Sequence, residues 1–439
     1  MQEEKSSSLE TVIVILAGTA TLFIAGGNYG DGILVAEWVE YFHRGSGVTS
    51  WLGTVIIGIG LCGAPVVSLL VKRFGFRKVF FIASIINASA ITVTSFVYNF
   101  YLAIALRVIA GCGLAVQQDC TFPYVLCRFP KHTAIAQAIL GVGFSGGGFT
   151  FPFIINYCLK QYGWRGCCLI IGGIASQQCA LGLLFRHWSN KPLPEHEENQ
   201  EVLLEQSDGD NNKRFRDLHQ LDLFKRKMFI AFVIHSFILH ASASVIYVHI
   251  VSGSNLLMGI SIEQARFTLS SIALANLVGR FVIALMTKHP RIDSLTVHVI
   301  LNTFLAIQVG VIPFMKGYTA ALAVSASIGF LLSGYGCLFP LILVDLFGND
   351  YLYMSYAYSI CFGGVGFLLG APVAGWIYDT TGNYAVSFYS CAGLVILSVL
   401  ILIPDWIVHI KKLMKTDQTK DHKETIISAN YIASLRSLS

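Results

Sequence analysis

The sequence predicts an all-α membrane protein: twelve transmembrane helices in two six-helix, pseudo-symmetric bundles. Three observations point to it. Mean hydropathy is +0.64, and over 439 residues 54% are hydrophobic while only 13% are charged, where a soluble domain carries about one quarter charged residues. A single long internal stretch, Arg186 to Lys227, reads RHWSNKPLPEHEENQEVLLEQSDGDNNKRFRDLHQLDLFKRK and is dense in charge and amide. That stretch separates two parts of similar length and texture, each holding several apolar segments.

Six segments precede the hydrophilic hinge, at about 11–40, 48–71, 77–98, 101–127, 133–159 and 166–185. Six follow it, at about 228–251, 265–287, 295–315, 318–345, 352–377 and 384–404. Each is long enough for a helix rising 1.5 Å per residue to cross a hydrocarbon core of ~30 Å. The expected organisation is a cytoplasmic start (1–10), an N-terminal bundle (11–186), a cytoplasmic linker (187–227), a C-terminal bundle (228–404) and a cytoplasmic tail (405–439). Twelve spans put both termini on one side. Lysine and arginine choose the side: sixteen lie in the hinge and the loops that share its side, such as Lys72, Arg73, Arg77, Lys78, Arg128, Lys131, Lys288 and Arg291. Only five, Arg44, Lys160, Arg165, Arg266 and Lys316, lie opposite, so hinge and termini are expected in the cytoplasm. The net charge of +5 is scattered over short loops, a mark of topology and not of nucleic acid. The polar start MQEEKSSSLE runs into an apolar segment longer than a signal peptide's core, so the first span is expected to remain. Eleven cysteines, including Cys62, Cys112, Cys120, Cys158, Cys179, Cys361 and Cys391 in apolar spans, form no Cys-x-x-Cys pair and read as small buried hydrophobes.

Polar residues inside spans are the candidates for function, because burial there has a cost. Span one carries Asp31 and Glu37, which could line a vestibule or lie solvated beyond the hydrocarbon. In span four Arg107, Gly111 and Ala115 share one helix face at i, i+4 and i+8, with Gly113 allowing close approach and Asp119 three turns on. A lone intramembrane arginine costs about 3 kcal/mol on insertion scales, so Arg107 should face protein or water. It and Asp119 read equally as a coupling network or a structural pair. Span five contains LGVGFSGGGFTFPF, with Gly141, Gly143, Gly146, Gly147, Gly148 and Pro152. No strand precedes it, so close helix packing and bending are expected rather than a phosphate loop.

Span seven holds His235, His240 and His249, readable as proton relays or as hydrogen-bonded packing residues. In span eight Asn276 and Arg280 stand at i, i+4 on one face, and such an arginine is suited either to gripping a carboxylate through two parallel N–H bonds or to snorkelling to the cytoplasmic interface. The sequences SGYGCLFPLILVDLFG and SICFGGVGFLLGAPVAGWIYDTTGNY repeat the glycine-rich texture of spans four and five, a sign of internal duplication. Metal-binding, nucleophile-elbow and nucleotide-binding motifs are absent from the sequence, which argues against a metal site, hydrolysis or use of ATP.

Several stretches resemble the major facilitator superfamily and, within it, the monocarboxylate transporter family (solute carrier family 16), over about residues 29–404. They are YGWRGCCLIIGG, ISIEQARFTLSSIALANLVGR and GAPVAGWIYDTTGNYAVSFY, with Arg107 and Gly111 similar to the superfamily's span-four arginine motif. The resemblance implies alternating access to a central site, often moving a monocarboxylate with a proton, and it assigns anion binding to Arg280. The chain departs from the pattern at four points. The family's acidic, tryptophan-rich start is replaced by SSSLETVIVILAG, Tyr29 stands where proton-coupled members have lysine, and Asn276 stands where they have aspartate. The motif leading into span five survives only as RFPKHTAIAQA, with Phe129 and Lys131.

The expected function is transport of a small organic solute, a monocarboxylate or related anion, across the plasma membrane without a cofactor, with a co-transported proton as an open variable. A facilitative carrier of an amino acid or zwitterion such as creatine is the alternative, and a non-transporting sensor on the same scaffold is a second. Arg280 and Asn276 are the expected substrate contacts, with Asp31, Arg107, Asp119 and His249 as coupling or gating candidates. Lipid is the expected surrounding, and a single-span accessory protein would leave no trace in one sequence.

Overall fold

A computed structural model describes the backbone of residues 2–128, 133–185, 221–287, 289, 292–348 and 351–436. The hinge from 186 to 220, with Phe129 and Lys131, lies outside the described residues, as does the side chain of Asp119. Helices make up nearly all of what is described. The first half contains α1 (Gln2–Gly26), α2 (Asp31–Phe42), α3 (Ser46–Cys62), α4 (Ala64–Phe74), α5 (Phe76–Thr94), α6 (Phe100–Arg128) and α7 (Thr133–Leu184). The second contains α8 (Lys227–Met258), α9 (Ile262–Met286), α10 (Ser294–Val311), α11 (Tyr318–Phe347), α12 (Leu352–Thr381) and α13 (Tyr384–Arg436).

These helices account for twelve crossings. Ten helices or joined helices among the described residues are long and apolar enough to span a bilayer, α1 and α2 together forming the first. A further crossing is the bent pair α3 and α4, which turns by 46° at Gly63. The twelfth comes from α7, whose 52 residues are too long for one crossing. At Gly163 the backbone takes φ 65° and ψ −177°, which breaks the helix there. Before the break Gly143 packs on Thr19 and Gly147 on Phe23; after it Gly172 packs on Thr92 and Gly182 on Phe80. The second arm therefore runs back antiparallel to α5, as the gap between the fifth and sixth apolar segments anticipates.

Two ends of the bundle can be told apart. The hinge end carries the tight turn at Gly75, φ 81°, and the short turn Leu221–Lys225. The far end carries Ser46, Gly163 and Ser261. Tyr98, Tyr101, Tyr157, Tyr162 and Phe314 are exposed near the far end, the belt of aromatic side chains expected where a bilayer meets water. Arg165, in the YGWRG stretch, donates to the Ser95 carbonyl at 2.8 Å and stacks over Tyr98 at 4.2 Å and Trp164 at 4.6 Å. That motif thus anchors the far-end turn between two arms of the first half.

The apolar core is distributed unevenly. One cluster joins both halves at the far end, with Trp38, Leu52, Phe151 and Trp164 from the first and Ile250, Leu269, Val309 and Phe388 from the second. Another, around Val14, Leu22, Phe80 and Phe185, belongs to the first half alone. The glycine-rich span five does what its composition predicts, because a Cβ at Gly147 would lie 1.8 Å from the Phe23 carbonyl oxygen and one at Gly143 2.3 Å from that of Thr19. At its end α13 continues through Pro404 to Arg436, where the apolar pattern alone places a boundary. A proline removes one backbone hydrogen bond but need not end a helix. The expectation of uniformly buried cysteines is corrected in part: Cys112 is exposed, and Cys62, Cys179, Cys337 and Cys361 are only half-buried, because their helices are shared with lipid or with a seam between halves.

Candidate functional site

The centre of the bundle is built where α1, α7, α8 and α9 converge. Asn276 and Arg280 meet there as their i, i+4 spacing predicts: Arg280 Nε donates to Asn276 Oδ1 at 3.0 Å. The same oxygen accepts from Ser145 Oγ on α7 at 3.3 Å, and Asn276 Nδ2 donates to the Gly329 carbonyl on α11 at 3.3 Å. Asn276 is buried and held by three neighbours, so it fixes the direction in which Arg280 points. The guanidinium lies between halves. A Cβ at Gly141 on α7 would stand 3.4 Å from Nη1, and one at Gly336 on α11 would stand 2.9 Å from Nη2. Two glycines thus leave the space it fills, and Phe144 faces it at 5.9 Å. Among the described residues Nη1 and Nη2 have no hydrogen-bond acceptor.

Next to this pair is a cavity lined by Tyr29, Phe144, Ser145, Tyr247, Ala273 and Asn276. Its walls are aromatic, with Tyr29 packed edge-on against Phe144 at 5.3 Å and Tyr247 at 4.9 Å. Among the cavity's lining residues there is no carboxylate, and Asn276 in its wall is bonded to the Arg280 cation. The volume is about 20 Å³, room for a water and not for an organic solute. Substrate could enter only if the halves move apart.

At the far end the halves are tied together. Arg266 on α9 pairs with Glu37 on α2 and donates from Nη1 to Asn156 Oδ1 on α7 at 2.8 Å. Lys160 and Glu263 pair at 2.8 Å on the surface. Asp379 on α12 accepts from the Ser46 and Gly47 backbone N–H groups at 2.8 and 2.9 Å, capping the N-terminus of α3 from the opposite half. Ser46 Oγ and the Tyr384 hydroxyl lie 3.0 Å apart beside it. Among the described residues no ion pair joins the halves at the hinge end. The bundle is closed at the far end.

The other candidates occupy different places. Asp31 is not a vestibule residue: it is buried and paired with Arg107 at 2.7 Å, within the first half. Trp38 covers the Arg107 guanidinium at 4.6 Å. Burial next to a cation makes this pair the arrangement with the lowest cost for either charge. Glu37 is not merely solvated, because Arg266 binds it. His249 donates from Nε2 to the Ala371 carbonyl at 2.8 Å and approaches Ser50 Oγ at 3.3 Å, in the far-end seam and away from Arg280. His235 faces His298 nitrogen to nitrogen at 2.9 Å and also contacts the Ser398 carbonyl at 3.1 Å. His240 is bonded to the carbonyl of Ser236 at 2.8 Å. Sequence reasoning did not single out Arg266, Asp379 or His298. The excess of cations on the hinge side left Arg266 as one of five on the other side, the one signal that could have marked it.

Comparison with known proteins fits this geometry. The family model described as Major Facilitator Superfamily matches residues 16–354. Monocarboxylate transporter 14 of Homo sapiens is 28% identical over 87% of this chain and 87% of its own length. Monocarboxylate transporter 9 of Pongo abelii is 24% identical over 93% of this chain and 96% of its own, and monocarboxylate transporter 12 of Xenopus laevis 24% over 87% and 85%. A twelve-crossing bundle with a central cavity between two halves, a family match over most of its length and relatives that are transporters lead to one conclusion: the chain belongs to the Major Facilitator Superfamily, as a carrier related to the monocarboxylate transporters and not an enzyme.

Proposed function

We propose that the protein carries a small monocarboxylate or a related organic anion through the central cavity, the two halves opening it alternately to either side of the plasma membrane. The observation that carries this reading is the Arg280 guanidinium, aligned by Asn276 and lying between halves, with neither terminal nitrogen bonded to an acceptor among the described residues. A planar guanidinium with two such N–H groups matches a carboxylate in two parallel hydrogen bonds. The names of the relatives point to the same solute class.

In this reading Arg280 draws the anion into the cavity and Asn276 holds the guanidinium in place. The far-end ties of Arg266, Lys160 and Asp379 are then the gate that breaks when the carrier opens outward. Asp31 and Arg107 brace the first half, and a proton taken up on Asp31 would loosen that brace. Asn276 gives Arg280 no titratable counter-charge, so anion binding itself does not require a proton. The hinge and both termini face the cytoplasm, following the excess of lysine and arginine there.

A second reading is a zwitterion such as creatine, favoured by Tyr29, Tyr247 and Phe144, whose ring faces could take a cationic group beside the guanidinium's carboxylate. The test is uptake of radiolabelled lactate, pyruvate, an aromatic amino acid and creatine by oocytes, at pH 6 and pH 7.5, beside Arg280→Ala. Saturable monocarboxylate uptake that falls at least ten-fold in the variant, at equal surface level, is the expected result. Uptake that survives Arg280→Ala overturns the assignment of the site, and uptake of creatine alone selects the second reading.

A further inference from the structure

The seam between α3 and α12 joins the two halves through very small residues in antiparallel register. Gly375 is so close to Gly47 that a Cβ on it would lie 2.6 Å from the Gly47 Cα. A Cβ on Gly58 would be 3.1 Å from the Gly364 carbonyl oxygen, and a Cβ on Gly364 would be 2.8 Å from both Cys62 N and Cys62 Sγ. Next in the register come Cys62 and Cys361. Cys62 Sγ is 3.4 Å from the Cys361 carbonyl oxygen, and Cys361 Sγ is 3.5 Å from the Cys62 carbonyl oxygen.

This reciprocity sets two thiols side by side across the seam, on helices whose backbones touch. A disulfide needs Cα atoms about 4.4–6.8 Å apart, a spacing that helices in glycine contact reach. Both thiols are half-buried rather than sealed in a core. They also mark the inner end of the zipped contact. Immediately after Cys62 the chain bends by 46° at Gly63, and α4 leaves the line that α3 shares with α12. The two residues are 299 positions apart in the chain, so a bond between them would join the halves covalently. By contrast Cys158, Cys167 and Cys168 are buried and belong to the first half alone.

We propose that Cys62 and Cys361 form an oxidisable thiol pair, a modification site for small disulfides of the glutathione type, whose closure staples the two halves at the α3–α12 seam. In the reaction one thiolate attacks the small disulfide, forms a mixed disulfide and releases one small thiol. The second protein thiolate attacks the cysteine sulfur of that mixed disulfide and releases the other small thiol. Two electrons pass from the cysteine pair to the reagent, and the two cysteine protons end on the two small thiols. The staple holds the helices within one S–S bond of ~2.05 Å at a place where the seam must rearrange for access to alternate. This consequence rests on the carrier reading, whereas the disulfide itself does not.

The experiment uses the full chain in proteoliposomes with a protease site introduced into the hinge between 204 and 211. After treatment with oxidised glutathione and cleavage, the halves are expected to migrate together without reductant, to separate with it, and to separate in Cys62→Ser and in Cys361→Ser. Halves that separate after oxidation of the unsubstituted chain, or that stay joined in either serine variant, overturn the pair. The staple is read without any substrate: Ser252 lines a far-end cavity of about 180 Å³ together with Ser46 of the first half and Tyr384 of the second, and in Ser252→Cys, labelling of residue 252 by an impermeant maleimide, followed by mass spectrometry, is expected to slow at least ten-fold after oxidation. It is expected to stay unchanged when Cys361→Ser is added. Equal labelling before and after disulfide formation overturns the staple while leaving both the disulfide and the carrier reading intact.

Discussion

Asp31 on α2 and Arg107 on α6 form an ion pair at 2.7 Å with side chains only 7% and 4% exposed, although 76 residues separate them. Trp38 closes one face of the guanidinium, and among the described residues Arg107 Nε has no hydrogen-bond partner. Such a pair is expensive to break on one side, because the remaining charge stays buried. Asp31→Ala or Arg107→Ala is expected to cost about 3–5 kcal/mol each, while Asp31→Leu with Arg107→Met together is expected to cost much less. Thermal unfolding of the purified variants in detergent checks this double-mutant cycle. Equal losses in single and double variants would remove the pair from its bracing role.

The Asp379 cap on α3 is the simplest of the far-end ties to cut, because its two acceptors bind two backbone N–H groups of the first helical turn that donate no other bond among the described residues. Loss of a helix cap costs about 0.5–2 kcal/mol, which multiplies the open population several-fold. Asp379→Ala is therefore expected to lengthen the mean distance between spin labels at Arg44 and Thr380 on the far side. An unchanged distance distribution would show that the cap is not part of the gate.

Asn276 offers a test of how charge at the centre sets pH dependence. Asn276→Asp places a carboxylate 3.0 Å from Arg280 Nε, where it competes with an incoming anion for the same cation. Anion uptake is expected to fall about ten-fold or more at neutral pH, a loss of about 1.4 kcal/mol or more. Protonation of the new carboxyl removes the competition, so uptake is expected to recover as pH falls. Uptake kinetics across pH in both proteins decide it: a variant whose pH profile matches the parent's would separate Asn276 from the site.

Glycine packing between α1 and α7 makes a sharper stability prediction. Gly147→Ala brings a methyl group 1.8 Å from the Phe23 carbonyl and is expected to cost about 3 kcal/mol or more, whereas Gly173→Ala on the same helix meets nothing within 4 Å and is expected to be neutral or slightly stabilising. Midpoints of thermal unfolding for the two variants should differ clearly. Similar midpoints would mean that the α1–α7 contact yields where this geometry says it cannot.

The amino-acid sequence by itself determined the crossings. Hydropathy located the hinge and twelve apolar segments, and the gap it leaves between 159 and 166 is where Gly163 breaks a 52-residue helix into two crossings. The i, i+4 spacing of Asn276 and Arg280 placed them on one face, because residues four apart adjoin on any α-helix. The glycines of span five announced close approach. What lies across a helix pair was not legible in this way. Arg107 meets Asp31 over 76 positions, Arg266 reaches Glu37 over 229, and Cys62 meets Cys361 over 299. Periodicity fixes which face of a helix a residue occupies, but the partner of that face depends on how two halves pack and at which end they are closed. Only the tertiary structure decided that the acid of span one pairs within one half, that the buried Arg266 forms a far-end tie, and that two thiols stand opposite each other where the seam ends.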